Sequence, residues 1–121
     1  MVKKYLIINT YSPTNGWFAE ESLEFVLSAA SLEYNISILF LEDSAFQLLE
    51  HSKFAMINRN LLTITLEAFG FFALQNIYIE TNILNKFKNL NLFIKKNINF
   101  QPINLNQLNQ LYNNHDVVVW Y

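Results

Sequence analysis

Hydrophobic residues along this chain fall into short unbroken runs, separated by stretches with helical periodicity. Residues 4–10 hold Tyr5, Leu6, Ile7 and Ile8 in succession, the pattern of a strand buried on both faces, as in a parallel sheet. Similar runs at residues 36–41, 76–80 and 117–121 predict further strands. The last of these is rich in β-branched residues, Val117, Val118 and Val119. The run Leu92, Phe93 and Ile94 predicts one more, fourth in chain order.

Between the runs the period changes. Leu23, Val26, Leu27, Ala30 and Tyr34 recur at helical spacing behind a loop marked by Pro13 and Asn15-Gly16. Glu20, Glu21 and Glu24 sit near the start of that helix, where carboxylates complement the backbone dipole. Asp43 stands where it would cap a short helix at 45–50, and Asn60 where it would cap one with Leu62, Leu66 and Phe69 on one face. Residues 82–87 read as a short helix or turn. Asn104 is placed to cap 105–112, with Leu105, Leu108, Leu111 and Tyr112 inward. Strands alternating with helices at these spacings predict an α/β fold: three layers, α/β/α, around a mainly parallel sheet of about five strands with right-handed crossovers. No linker, repeat or charge block divides residues 1–121, so one domain is expected.

Composition sharpens this picture. Hydrophobic residues make up 52% of the chain and charged residues only 15%, against ~25% charged in an average soluble protein. A surface so poor in charge favours association with partners. Net charge is −2, and Lys3-Lys4 and Lys95-Lys96 are isolated pairs, so direct nucleic-acid binding is not expected. No signal peptide is legible, because Asn9 ends the first apolar run. Residues 61–79 carry one charge, Glu67. Thr63, Thr65, Gly70, Gln75 and Asn76 interrupt them, so a buried helix and strand are expected rather than a membrane span. The cytoplasm is the expected compartment.

Candidate chemistry is sparse. The two glycines, Gly16 and Gly70, exclude the Rossmann fingerprint and the P-loop, which need several glycines close together so that backbone can approach phosphate. With no cysteine and only His51 and His115, a zinc site is not expected. His115-Asp116 form no dyad, since neighbours entering a strand point to opposite faces; a capping or solvent-facing histidine is expected. The remaining candidates are acids at strand ends, where open parallel sheets bind ligands. Glu42 and Asp43 follow the second strand, and Glu80 ends the third.

The stretch Phe40-Leu41-Glu42-Asp43-Ser44-Ala45-Phe46-Gln47-Leu48-Leu49 resembles the TusC, or DsrF-like, subunits of the DsrE/DsrF/DsrH superfamily of sulfur-relay proteins. So do the helix with Glu21, Leu23, Glu24, Leu27 and Ala30, and the ending from Asp116 to Tyr121. Ser44-Ala45 departs from the pattern, in which a glycine is common. The resemblance covers essentially the whole chain, 1–121, as one DsrE/F/H-like domain. It implies a subunit of a heterohexamer with DsrE-like (TusD) and DsrH-like (TusB) partners, acting in 2-thiouridine biosynthesis during tRNA processing. The DsrE-like partner carries sulfur on a cysteine just after its third strand. Here that place holds Glu80-Thr81-Asn82, and the whole chain has no cysteine. A non-catalytic subunit without cofactor or metal is therefore expected. Phe46, Leu48, Leu49, Trp120 and Tyr121 are its candidate interface residues, and Glu42, Asp43 and Glu80 its candidate strand-end pocket. Two alternatives remain open at this point. One is a small flavodoxin-like enzyme using those three acids, and the other a ligand-binding module near residues 11–15.

Overall fold

The computed structural model describes residues 3–10, 22, 24–26, 28–29, 35–49, 74–94 and 98–121. Five strands form one sheet: β1 (Lys4–Asn9), β2 (Asn35–Phe40), β3 (Leu74–Glu80), β4 (Gln101–Ile103) and β5 (Val117–Trp120). The spatial order is β4-β3-β2-β1-β5, and all four pairings are parallel. This is the three-layer α/β arrangement the apolar runs predict. The runs at β1 and β2 are continuous because these strands lie inside the sheet and are buried on both faces: Leu6, Ile7, Ile8, Ile36, Ile38, Leu39 and Phe40 are fully enclosed.

Alternate residues of each strand feed two separate cores. One face carries Ile7, Ile36, Ile38, Phe40, Ile77 and Ile79, packed against Val26, Ala29, Ile83 and Phe87. Val26 and Ala29 belong to helical residues between β1 and β2. Ile83 and Phe87 are the inward positions of helix α1 (Thr81–Asn89), one turn apart on its buried face. The opposite face carries Leu6, Ile8, Leu39 and Ile103 beneath Leu108, Leu111 and Tyr112, which belong to or flank helix α2 (Leu108–Asn113). The described parts of the connections that step outward from β1 to β4 thus pack on one face. The return from β4 to β5, beside β1, runs over the other.

Strand β5 is fastened at both ends. Asp116 N–H donates to Lys4 O (2.8 Å), and the Asp116 carboxylate accepts from Lys4 N–H (2.8 Å). Beyond the other end, Tyr121 N–H donates to Ile8 O (2.8 Å) and Thr10 N–H to Tyr121 O (2.7 Å).

Several local expectations change. The fourth strand is Gln101–Ile103 rather than residues 92–94. Leu92 and Ile94 instead pack against the first core, and Ile94 makes only an isolated antiparallel bridge with Leu49. Asp43 caps no α-helix. The segment Glu42–Leu48 is a 3₁₀ helix whose N-cap, Leu41, has no side-chain bond. Residues 81–89 are a full α-helix starting directly at the end of β3. Asn104 does cap: it forms a reciprocal capping box with Gln107, each accepting the other's backbone N–H at 3.0 Å. The capped turn is a short 3₁₀ helix, Leu105–Gln107, before α2, which leaves Leu105 58% exposed rather than inward. The helices expected around Asn60 and up to Gly70 lie outside the described residues. Residues 74–79 of the apolar stretch 61–79 are strand, and no described helix is long and apolar enough to cross a membrane.

Candidate functional site

The C-terminal ends of the strands come together around the turn that leaves β2. Leu41 is extended, and Glu42 then adopts φ 53°, in the left-handed region. For a residue with a long side chain that conformation costs ~1–2 kcal/mol. A buried serine holds the turn. Ser44 Oγ lies 2.7 Å from Asn9 O and 2.6 Å from Leu41 O, so its single proton serves two carbonyls, one on β1 and one on the turn. Backbone bonds reinforce it: Leu41 N–H donates to Asn9 O (2.9 Å) and Ser44 N–H to Leu41 O (3.2 Å). Ser44 thus ties the end of β1 to the start of the 3₁₀ helix. Asn9 is 2% exposed, and its amide nitrogen finds no partner.

The three candidate acids do not converge. Glu42 and Asp43 are exposed, whereas Glu80 is buried. By register Glu80 pairs with Ile103, on the α2 side of the sheet. Asp43 instead meets Lys86 of α1 at 3.8 Å, with both side chains more than half exposed. Among the described residues no three histidine or acidic side chains gather to hold a metal ion.

The candidate interface residues divide into two groups. Leu48 (0% exposed) and Leu49 (4%) are inside the chain's own first core. The 3₁₀ helix stacks positions three apart, so Ala45 and Leu48 both turn inward. Phe46 is half-buried and meets Phe87 edge-on, ring centroids 5.2 Å apart. Lys86 Nζ lies 5.5 Å above the Phe46 ring. Trp120 is 56% exposed, with Tyr112 at 6.1 Å. Tyr121 is half-buried, 6.4 Å from Phe25.

A second feature lies towards the other end of the sheet. An open cavity of about 430 Å³ is lined by Lys4, Asn35, Ser37, Tyr78, Asn114 and His115, with Leu111. These positions are scattered from residue 4 to residue 115, so no local motif announces them. The one signal was Ser37, a polar residue inside an apolar strand run. His115 caps the end of α2, its Nδ1 donating to Leu111 O at 2.7 Å. Burial pushes the Tyr78 phenol above its usual pKa range, so it remains protonated.

Set against known proteins, residues 3–121 match the DsrE/DsrF-like family. The chain belongs to that family. Among curated relatives, a protein named TusC homolog from Pseudomonas aeruginosa is 30% identical over 86 residues, 71% of this chain and 72% of that protein. The intracellular sulfur oxidation protein DsrF of Allochromatium vinosum is 29% identical over 84 residues, 69% of this chain and 62% of that protein. The crystal structure of the ychN protein of E. coli superimposes with a TM-score of 0.70, covering 99% of this chain and all of that one at 13% identity. At that identity the likeness shows the fold alone. At the end of β3, Glu80 is the N-cap of α1, followed by half-buried Thr81 and exposed Asn82.

Proposed function

We propose that this chain is the thiol-free subunit of a TusBCD-like sulfur-relay complex, supporting 2-thiolation of the wobble uridine of tRNA without itself carrying sulfur. The observation that carries this reading is a family match over residues 3–121 in a chain with no cysteine at all. Relay through a protein persulfide needs a thiolate. A threonine hydroxyl or a carboxylate at the end of β3 forms no persulfide. DsrE-like (TusD) and DsrH-like (TusB) partners would then hold the sulfur, two copies of each subunit making a heterohexamer in the cytoplasm. The low charge of the chain and the exposed Trp120 support a role in assembly.

Light scattering on the chain alone and co-expressed with DsrE-like and DsrH-like proteins of the same source tests this. A single heterohexamer-sized species that forms only with those partners is expected. A well-behaved species indifferent to them would overturn the reading.

A further inference from the structure

The polar cavity beneath α2 belongs neither to the strand-end turn nor to the exposed aromatic residues. Its floor is Ser37 on β2, a polar side chain only 1% exposed. Half-buried Asn35 and Tyr78 and exposed Asn114 line its walls. Buried or half-buried polar groups normally find partners, because leaving them unpaired costs ~1–3 kcal/mol each. Three buried or half-buried polar side chains, Ser37, Asn35 and Tyr78, nevertheless face one open cavity. A helix of only six residues leaves this part of the sheet face uncovered. The cavity's volume lies within the ~300–1,000 Å³ typical of small-molecule sites. A shallower groove of about 170 Å³ continues from it past Tyr78 and Asn114 to Gln101 and Gln110.

The charge pattern selects the ligand. Among the described residues that line the cavity, Lys4 is the only permanently charged one and none is a carboxylate. The nearby Asp116 carboxylate accepts the Lys4 backbone N–H. Three of the carbonyls at the end of α2, which would repel an anion, are already engaged. Gln110 O accepts from Asn114 N–H, Tyr112 O from His115 N–H, and Leu111 O from His115 Nδ1. What remains is a set of donors: an ammonium, two primary amides and two hydroxyls. With Nδ1 donating to Leu111 O, the other ring nitrogen of His115, Nε2, remains for a ligand. We propose that this cavity binds a small phosphate-bearing ligand, its oxyanion held by Lys4, Ser37 and the asparagine amides. The rest of the ligand would lie along the groove towards Gln101. This site is independent of the relay reading and remains testable if that reading fails.

Isothermal titration of the purified full-length chain at constant ionic strength provides the test, with inorganic phosphate in one arm and adenosine monophosphate in the other. Saturable binding in at least one arm is expected. Lys4→Gln should weaken it about tenfold, the scale of one charge-assisted hydrogen bond. Asn114→Ala, a change at an exposed position, should weaken it less, with unaltered far-ultraviolet circular dichroism in both variants. Tighter adenosine monophosphate binding assigns the site to phosphate esters, and equal affinity assigns it to free phosphate. Absence of saturation in both arms, or saturable binding unchanged by both substitutions, would overturn the proposal.

Discussion

The two faces of the sheet are built to different standards. The first is filled by one continuous core, in which β1, β2 and β3 meet Val26, Ala29, Ile83, Phe87 and the 3₁₀ helix through Ala45 and Leu48. The second has a smaller core of Leu6, Ile8, Leu39, Leu41, Ile103 and Leu111. Beside that core lies a polar cavity rather than more apolar packing. Among the described residues one face supplies cohesion; the other combines a modest core with a cavity lined by polar side chains. Both faces contribute because β1 and β2 are enclosed on either side.

Large-to-small substitutions give the strongest test of this contrast. Phe87→Ala, at 2% exposure in the first core, should lower stability by ~3–5 kcal/mol, while Leu111→Ala in the second should lie near the bottom of the ~2–5 kcal/mol range for leucine. Urea midpoints of the purified chain measure both, and an equal or larger loss for Leu111→Ala would erase the distinction. Next comes Trp120, on β5 and exposed. Trp120→Ala should leave the midpoint of the isolated chain within about 0.5 kcal/mol yet weaken assembly with the partner subunits by about 2 kcal/mol, as for an aromatic anchor. Sedimentation of the mixed subunits reads the second effect, and undiminished assembly would remove Trp120 from the interface.

Smaller effects probe how the second face is held in place. Asn104→Ala breaks the capping box ahead of α2 and should cost about 1 kcal/mol. Amide hydrogen exchange should quicken in residues 105–113 and not in α1; uniform quickening would mean that α2 is no separate unit. Smallest of all, Asp43→Asn removes the exposed pair with Lys86 on the first face. A change below about 0.5 kcal/mol is expected, since such pairs are screened by solvent. A larger loss would show that the first face depends on charge as well as on packing.

The legibility of the chain follows the same division. Strands β1, β2, β3 and β5 are readable because each carries a compact apolar run, and Asn104 is readable as a cap because its partner Gln107 is local. Strand β4 is not: Gln101 and Pro102 are exposed and only Ile103 is buried, so a three-residue edge strand has almost no apolar signature. The more hydrophobic Leu92 and Ile94 drew the expectation instead, although they serve as a lid on the first core. At the strand ends, sequence located Glu42, Asp43 and Glu80 on the right elements. The face to which each side chain turns depends on the 3₁₀ geometry after Leu41 and on the register of Glu80 with Ile103. Neither is visible without the fold. The cavity was illegible because parallel pairing assembles it from residues far apart in the chain.

Pro102 marks one border of the sheet. It stands in the outermost strand on one side and has no N–H to offer an incoming strand, a device that discourages edge-to-edge polymerisation. The opposite border, the four-residue β5, carries no such block. Among the described residues the two borders of the sheet therefore differ: a proline interrupts the row of N–H groups in β4, and none interrupts it in Val117–Trp120.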